Sequence, residues 1–282
     1  MKNKNTEWTN IIKSEHPLFK LNLKEVWDYK DLVYMFVKRD FISSFKQTIL
    51  GPLWFFINPI FTTIVYLIVF GNIAKLSTDG APKILFYLAG VTLWNYFSTA
   101  LAGTSNVFVG NANIFGKVYF PRLVMPITIV ISNLMKFGVQ FLLFLTLFFY
   151  YLYQDQIHPN WWIVATPYLI LLMVLFALGL GMIFSSLTTK YRDLSMLLNF
   201  GISLYMYATP VIYPVSFLPE IARKYSNLNP LTGIFEGFKY AWLGVGEFQP
   251  VMLVYSSMII LVLLAIGTLI FNKVEKNFLD TV

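Results

Sequence analysis

The chain has 282 residues, of which 57% are hydrophobic, 18% aromatic and only 12% charged, with a mean hydropathy of +0.64 and a formal net charge of +7. Soluble domains carry about 25% charged residues, so there is too little charge here to cover a water-soluble globule, and lipid is the solvent the sequence implies. The absence of cysteine excludes disulfides and thiolate metal sites, and the two histidines, His16 and His158, each stand beside a proline in a polar stretch and read as loop residues.

Residues 1–22 form a polar arm without the short apolar core of a signal peptide, so no cleavage is expected there. An interface segment follows at 23–50. Within 23–46, Leu23, Val26, Trp27, Leu32, Met35, Phe36 and Phe41 recur at helical spacing among Lys24, Asp28, Lys30, Asp31, Lys38, Arg39 and Asp40. A basic helix with an aromatic face, placed before a span, is expected to lie along the membrane surface. A solvated helix packed on a partner is compatible with the same pattern.

From residue 51 onward the sequence predicts an all-α integral membrane domain, 51–282, with six apolar stretches at about 53–76, 84–108, 123–150, 161–187, 194–213 and 249–271. Each is long enough to cross a bilayer core, which takes roughly 20 residues. The fifth is the weakest, diluted by Tyr205, Tyr207 and Thr209. Orientation follows from the basic residues of the loops. Fifteen fall on one side: nine before the first apolar stretch, from Lys2 to Lys46, then Lys117, Arg122, Lys190, Arg192, Lys273 and Lys276. Five fall on the other: Lys75, Lys83, Arg223, Lys224 and Lys239. Both termini are therefore expected in the cytoplasm, and the positive charge is a topology signal rather than a nucleic-acid footprint.

The long stretch 214–248 carries Phe217, Leu218, Ile221, Ile234, Phe235, Phe238, Trp242 and Leu243, broken by prolines. It predicts short re-entrant or interfacial helices on the outer side. Non-helical backbone at that depth must be shielded by protein or line a watery cavity, so the segment is a candidate pore mouth.

No catalytic constellation emerges. The nearest approach to a phosphate loop, GNANIFGK at 110–117, has five residues between its glycines where four are needed, and Val118 replaces the required Ser or Thr. An ATP-driven process would need its nucleotide on another subunit. Lys136, inside the third apolar stretch, should face protein or water, because a charge at the helix centre costs at least ~2.5 kcal/mol. It fits a cation for an anionic substrate group and equally a lysine satisfied by a neighbouring helix. Trp54, Phe55, Phe56 and Tyr66 of the first stretch, and Tyr205, Tyr207 and Tyr213 of the fifth, fit headgroup anchors or a pore wall on which sugar rings could stack. Tyr205 and Tyr207 point to different sides of a helix, so at most one lines a pore cleanly. Gly179 and Gly181 permit close helix approach in the fourth stretch.

Four segments resemble one family. They are KRDFISSFKQTILGPLW at 38–54, KVYFPR at 117–122, YRDL at 191–194, and TPVIYP at 209–214 with NLNPL at 227–231. In order and span count they resemble the permease subunits of bacterial ABC transporters that export polysaccharides: O-antigen, capsule and teichoic acid. The resemblance implies an inner-membrane homodimer of six-span subunits, joined to a separate ABC ATPase that holds ATP and Mg, with no cofactor on this chain. It implies a pore at the two-fold axis that carries an undecaprenyl-type lipid-pyrophosphate-linked glycan. Trp54, Phe55, Tyr66, Tyr205, Tyr207 and Tyr213 would line it. Arg39, Lys46, Arg122 and Lys136 would be cations for the pyrophosphate or the interface. Asp40, Lys117, Tyr119, Pro121 and Arg122 would couple to the ATPase. Ser44 departs from the family, where a basic residue commonly precedes the aromatic at 45. Rivals are an ABC permease for a drug or small lipid; an ion-coupled carrier, which would need carboxylates or histidines within the spans; and a membrane glycosyltransferase, for which Glu220, Glu236 and Glu247 are too scattered.

Overall fold

The computed structural model describes residues 23–278 except 116, 119, 192 and 247; the polar arm 1–22 and Tyr119 lie outside the described residues. Among the described residues the chain is helical throughout, without strands. Its helices are α1 (Leu23–Asp28), α2 (Lys30–Ser43), α3 (Trp54–Tyr66), α4 (Lys83–Ser105), α5 (Val107–Gly110), α6 (Ala112–Phe115), α7 (Val124–Tyr153), α8 (Thr166–Thr188), α9 (Leu194–Tyr207), α10 (Glu220–Leu228), α11 (Pro230–Leu243) and α12 (Pro250–Phe278).

Among the described residues, five stretches are long and apolar enough to cross a membrane: Gly51–Ile73, Lys83–Ser105, Val124–Tyr153, Trp161–Thr188 and Pro250–Val274. The expected fifth crossing, 194–213, forms only the 14-residue helix α9. Pro210 explains the early end, since a proline disfavours helical backbone in the residue before it. At ~1.5 Å per residue α9 rises about 21 Å, against a hydrocarbon core of about 30 Å.

The first span opens with a tight 3-10 turn, runs through α3 and widens into a π-helical turn at Leu67–Ile73. Such wide turns leave carbonyls poorly served. Here Lys83 Nζ donates to Gly71 O at 2.7 Å, so the base of the second span ties down the end of the first.

Helix α4 is the hub. It packs against α3, α7, α8, α9 and α11, and 78% of its central stretch is buried, against 11% in the first span. Polar side chains are tolerated in lipid when they face protein, and α4 places Thr92, Thr104 and Ser105 inward, each almost inaccessible. Small residues set the spacing of its neighbours. A Cβ on Gly181 would stand 2.5 Å from Thr104 of α4, one on Gly179 would meet the Leu264 backbone at 2.9 Å, and one on Gly267 would collide with Gly179 O. The expected close approach at Gly179 and Gly181 is thus real, and it brings α8 against both α12 and α4.

The amphipathic segment differs from expectation. It breaks at Tyr29 into α1 and α2, and its apolar residues divide between two faces. Val26, Leu32, Phe36 and Val37 turn inward, whereas Trp27, Tyr34 and Met35 stay exposed. The cause is packing: α2 lies along α7, so only one of its faces is covered.

The glycine contacts yield a prediction. Gly267→Ala forces α8 and α12 apart and should destabilise the chain by about 1–3 kcal/mol, seen as a lower unfolding midpoint in detergent. Gly138 of α7 has open space where its Cβ would be, so Gly138→Ala should leave the midpoint unchanged or raise it. Equal losses for both variants would contradict the packing account.

Candidate functional site

Three groups of expected functional residues occupy distinct places. At the end of the bundle that carries α2, an aromatic cluster joins the surface helix to the loop 107–123. Phe36 of α2 meets Phe120 at 5.9 Å between ring centres, Phe115 meets Phe120 at 5.6 Å, and Phe108 stacks on Phe271 of α12 at 4.6 Å. Arg122 is buried here, its guanidinium 5.7 Å from the centre of the Phe115 ring. The part of the loop that reaches outward is Lys117 with Val118, both exposed. Pro121, half-buried, accepts through its carbonyl from Val124 N–H at 3.0 Å and starts α7. The two elements expected to meet an ATPase are therefore one packed unit tied to the last span.

Asp40 sits on the inner side of α2. It accepts from Arg39 Nε at 2.8 Å, while the Arg39 guanidinium lies 4.6 Å from the centre of the Phe36 ring. Asp40 is also the carboxylate within electrostatic reach of Lys136. Helix α7 is 30 residues long, about 45 Å, and α2 packs along it. The reading in which a neighbouring helix serves this lysine therefore has a carboxylate in range, Asp40. Lys46 is exposed in the turn after α2.

The aromatic residues of the first and fifth stretches separate by environment. Trp54 and Tyr207 are exposed. Phe55 stacks on Phe41 at 5.6 Å and meets Phe45 edge-on at 6.2 Å. Tyr66 donates to Met206 Sδ at 3.1 Å and so links the first span to α9. Tyr213 is half-buried, its hydroxyl donating to Tyr207 O at 2.9 Å. Tyr205 turns inward, against Trp94 and Phe97. Of the two candidates Tyr205 and Tyr207, only Tyr207 faces outward.

The third group was missed from the sequence. At the end opposite α2, the backbone after α9 is held by two residues of the following helices. Asn229 uses its whole side-chain capacity. Its Nδ2 donates to Ala208 O at 3.1 Å and Thr209 Oγ1 at 3.0 Å; its Oδ1 accepts from Tyr205 Oη at 2.5 Å and from Leu231 N–H at 2.9 Å. The last of these caps α11, whose first residue, Pro230, suits that position. Lys239, only 1% exposed, donates to Pro210 O at 2.6 Å and Tyr213 O at 3.1 Å; its Nζ lies 4.1 Å from the centre of the Phe86 ring and 3.6 Å from the equally buried Glu236. The motifs TPVIYP and NLNPL thus meet in space. The available signal was a Glu–Lys pair three residues apart within GIFEGFKYAW, an apolar helix where a lysine needs a partner; tallying Lys239 among loop cations hid it.

Two further bonds fasten the same region to the loop between the first two spans. Ser216 Oγ donates to Asp79 at 2.7 Å, and Arg223 Nη2 donates to Ser216 O at 2.9 Å. Helix α11 also lies against α4, α8 and α12, and Trp242 Nε1 donates to Thr166 Oγ1 at 2.9 Å. The segment 214–248 is accordingly a pair of helices, of which α11 is buried among the spans.

The described residues form a helical bundle with several span-length apolar helices, and its surface helix and the loop 107–123 pack as one unit. The chain belongs to the ABC-2 type transporter family, whose model matches residues 31–243. It is 27% identical over 252 residues to an O-antigen export system permease protein RfbA of Klebsiella pneumoniae, covering 89% of this chain and 94% of that one. The RfbA permease of Myxococcus xanthus is 27% identical over 264 residues, covering 92% and 98%. The inner membrane transport permease YadH of Escherichia coli K12 is 26% identical over 204 residues, covering 68% and 76%.

Removing one partner of a buried ion pair typically costs 3–5 kcal/mol, whereas replacing both is far milder. Lys239→Met should therefore sharply lower the unfolding midpoint and yield of folded protein, and adding Glu236→Gln should recover part of the loss. A double variant no better than the single one would show that the carboxylate left behind is not the cause.

Proposed function

We propose that this chain is the membrane subunit of an ATP-driven exporter that moves a lipid-pyrophosphate-linked polysaccharide, of the O-antigen or teichoic-acid kind, across the bacterial inner membrane. The observation that carries this reading is the similarity to O-antigen export permeases across nine-tenths of the chain. The similarity to YadH covers less of both chains, which leaves a permease for a drug or small lipid as the second reading.

In this reading two copies of the chain pair and join a separate ATPase, which binds ATP and Mg. The α2 end faces the cytoplasm together with both termini. Helix α9 makes the fifth of six crossings, completed by the turn 208–214 that α11 supports, and 214–248 is re-entrant from the outer side. ATPase movement enters through Lys117, Tyr119, Pro121 and Arg122, with Asp40 holding α2 to the same unit. It travels along the ring contacts Phe36–Phe120 and Phe108–Phe271 into the spans.

The anionic pyrophosphate meets the cations at this level: Arg39 and Lys46 outside, Lys136 and Arg122 behind. Charge-assisted bonds to phosphate oxygens are the strong kind. The glycan then passes the aromatic faces of Trp54, Phe55, Tyr66, Tyr207 and Tyr213, whose contacts are individually weak and so do not arrest it. Tyr205 supports the wall from behind through Asn229.

Purification of the tagged chain from its native membrane should bring down an ABC ATPase in equal amount, and its turnover should rise with the lipid-linked glycan. In cells, Lys46→Ala should lower the export rate several-fold with normal membrane levels of the protein. Recovery of the chain alone, even after crosslinking in intact membranes, would contradict the proposal.

A further inference from the structure

The outward face of α2 has a feature that the export reading uses only in part. A groove of about 470 Å³ is lined by Met35, Lys38, Arg39, Ile42, Ser43 and Lys46. Three of these six are cations, two are apolar, and Ser43, which donates to Asp40 O at 3.1 Å, offers its hydroxyl oxygen as an acceptor. Asp40 pairs with Arg39 at 2.8 Å, and Lys38 and Lys46 leave the groove a surplus of positive charge.

Its height follows from its place in the chain. Lys46 precedes the first span, which opens at Gly51, by one short turn. Helix α2 also packs along α7, whose 30 residues, about 45 Å, exceed the hydrocarbon thickness. The groove therefore lies at headgroup depth. Tyr34 of α2 and Trp27 of the preceding α1 are exposed, and such rings favour the headgroup layer.

From this we infer that the groove on α2 is a binding site for an anionic phospholipid of the bilayer, with the phosphate held by Lys38, Arg39 and Lys46, a glycerol headgroup hydroxyl reaching Ser43, and the upper acyl chain against Met35 and Ile42. The inference rests on the proposed orientation, in which this leaflet is the cytoplasmic one. It adds a resident lipid that holds α2 at its working depth between transport events and that the polyprenyl pyrophosphate displaces during loading. Lys38, to which transport itself assigns nothing, acquires a role.

The test is native mass spectrometry of the full chain released from nanodiscs of phosphatidylcholine with increasing phosphatidylglycerol. Wild type is compared with Lys38→Gln, with Lys38→Gln/Lys46→Gln, and with Lys224→Gln as a charge-matched change at the opposite end. A basic residue near the membrane surface contributes about 1 kcal/mol toward anionic lipid, so binding of phosphatidylglycerol should weaken about fivefold in the single variant and about thirtyfold in the double one. Lys224→Gln should bind as wild type. Equal retention of phosphatidylcholine, or unchanged phosphatidylglycerol binding in the double variant, would overturn the site. Retention of polyprenyl pyrophosphate but not phosphatidylglycerol would also overturn it while leaving the export reading intact. Absence of a co-purifying ATPase would count against that reading and leave the lipid result untouched.

Discussion

The backbone carbonyls of residues 208–213 need partners that water cannot supply inside a membrane protein, where an unsatisfied polar group costs several kilocalories per mole. Helix α9 stops at Tyr207, short of the bilayer thickness, and Pro210 prevents its continuation. The solution comes from the next helices. Asn229 and Lys239 donate to the carbonyls of Ala208, Pro210 and Tyr213. To deliver these donors α11 has to sit among the spans, and Gly90 of α4 allows this turn to approach so closely that a Cβ there would strike Val211 O. The burial of α11 and the path of the segment 214–248 follow from that requirement.

The other end of the bundle answers a different constraint. Asp40 pairs with Arg39 and lies within electrostatic reach of Lys136, and the aromatic rings join α2, the loop 107–123 and α12 into one packed unit. A push on Lys117 or Val118 would therefore be felt by α2 and α12 together. Tight helix spacing at Gly179, Gly181 and Gly267 stiffens the route from that unit to α4. The first span, little buried and joined to α9 by Tyr66, is the part of the bundle with most surface left for lipid or a second copy.

Much of this was legible in the sequence because hydropathy and helix length are local properties. The first four apolar stretches and the last agree with the observed helices to within a few residues, and the close packing at Gly179 and Gly181 could be anticipated from residue size. Partners distant along the chain could not. Asn229 meets Tyr205 across 24 positions, and Lys239 meets Pro210 across 29; no periodicity encodes either contact. The same limit applies to Lys136, whose carboxylate in electrostatic reach, Asp40, belongs to a helix far earlier in the chain. The split of the α2 apolar residues over two faces also depends on where α7 lies, which the spacing of Trp27, Met35 and Phe36 does not reveal.

The central claim is that α9, though short, carries the chain across the bilayer with its end closed by α11. Because the chain contains no cysteine, single cysteines can be introduced without a background. Lys190 precedes α9, Tyr225 lies in α10, and both are exposed. Labelling intact cells and inverted vesicles with a membrane-impermeant maleimide should modify Lys190→Cys only in inverted vesicles and Tyr225→Cys only in intact cells. Modification of both from the same side would show that α9 does not cross and would contradict the account.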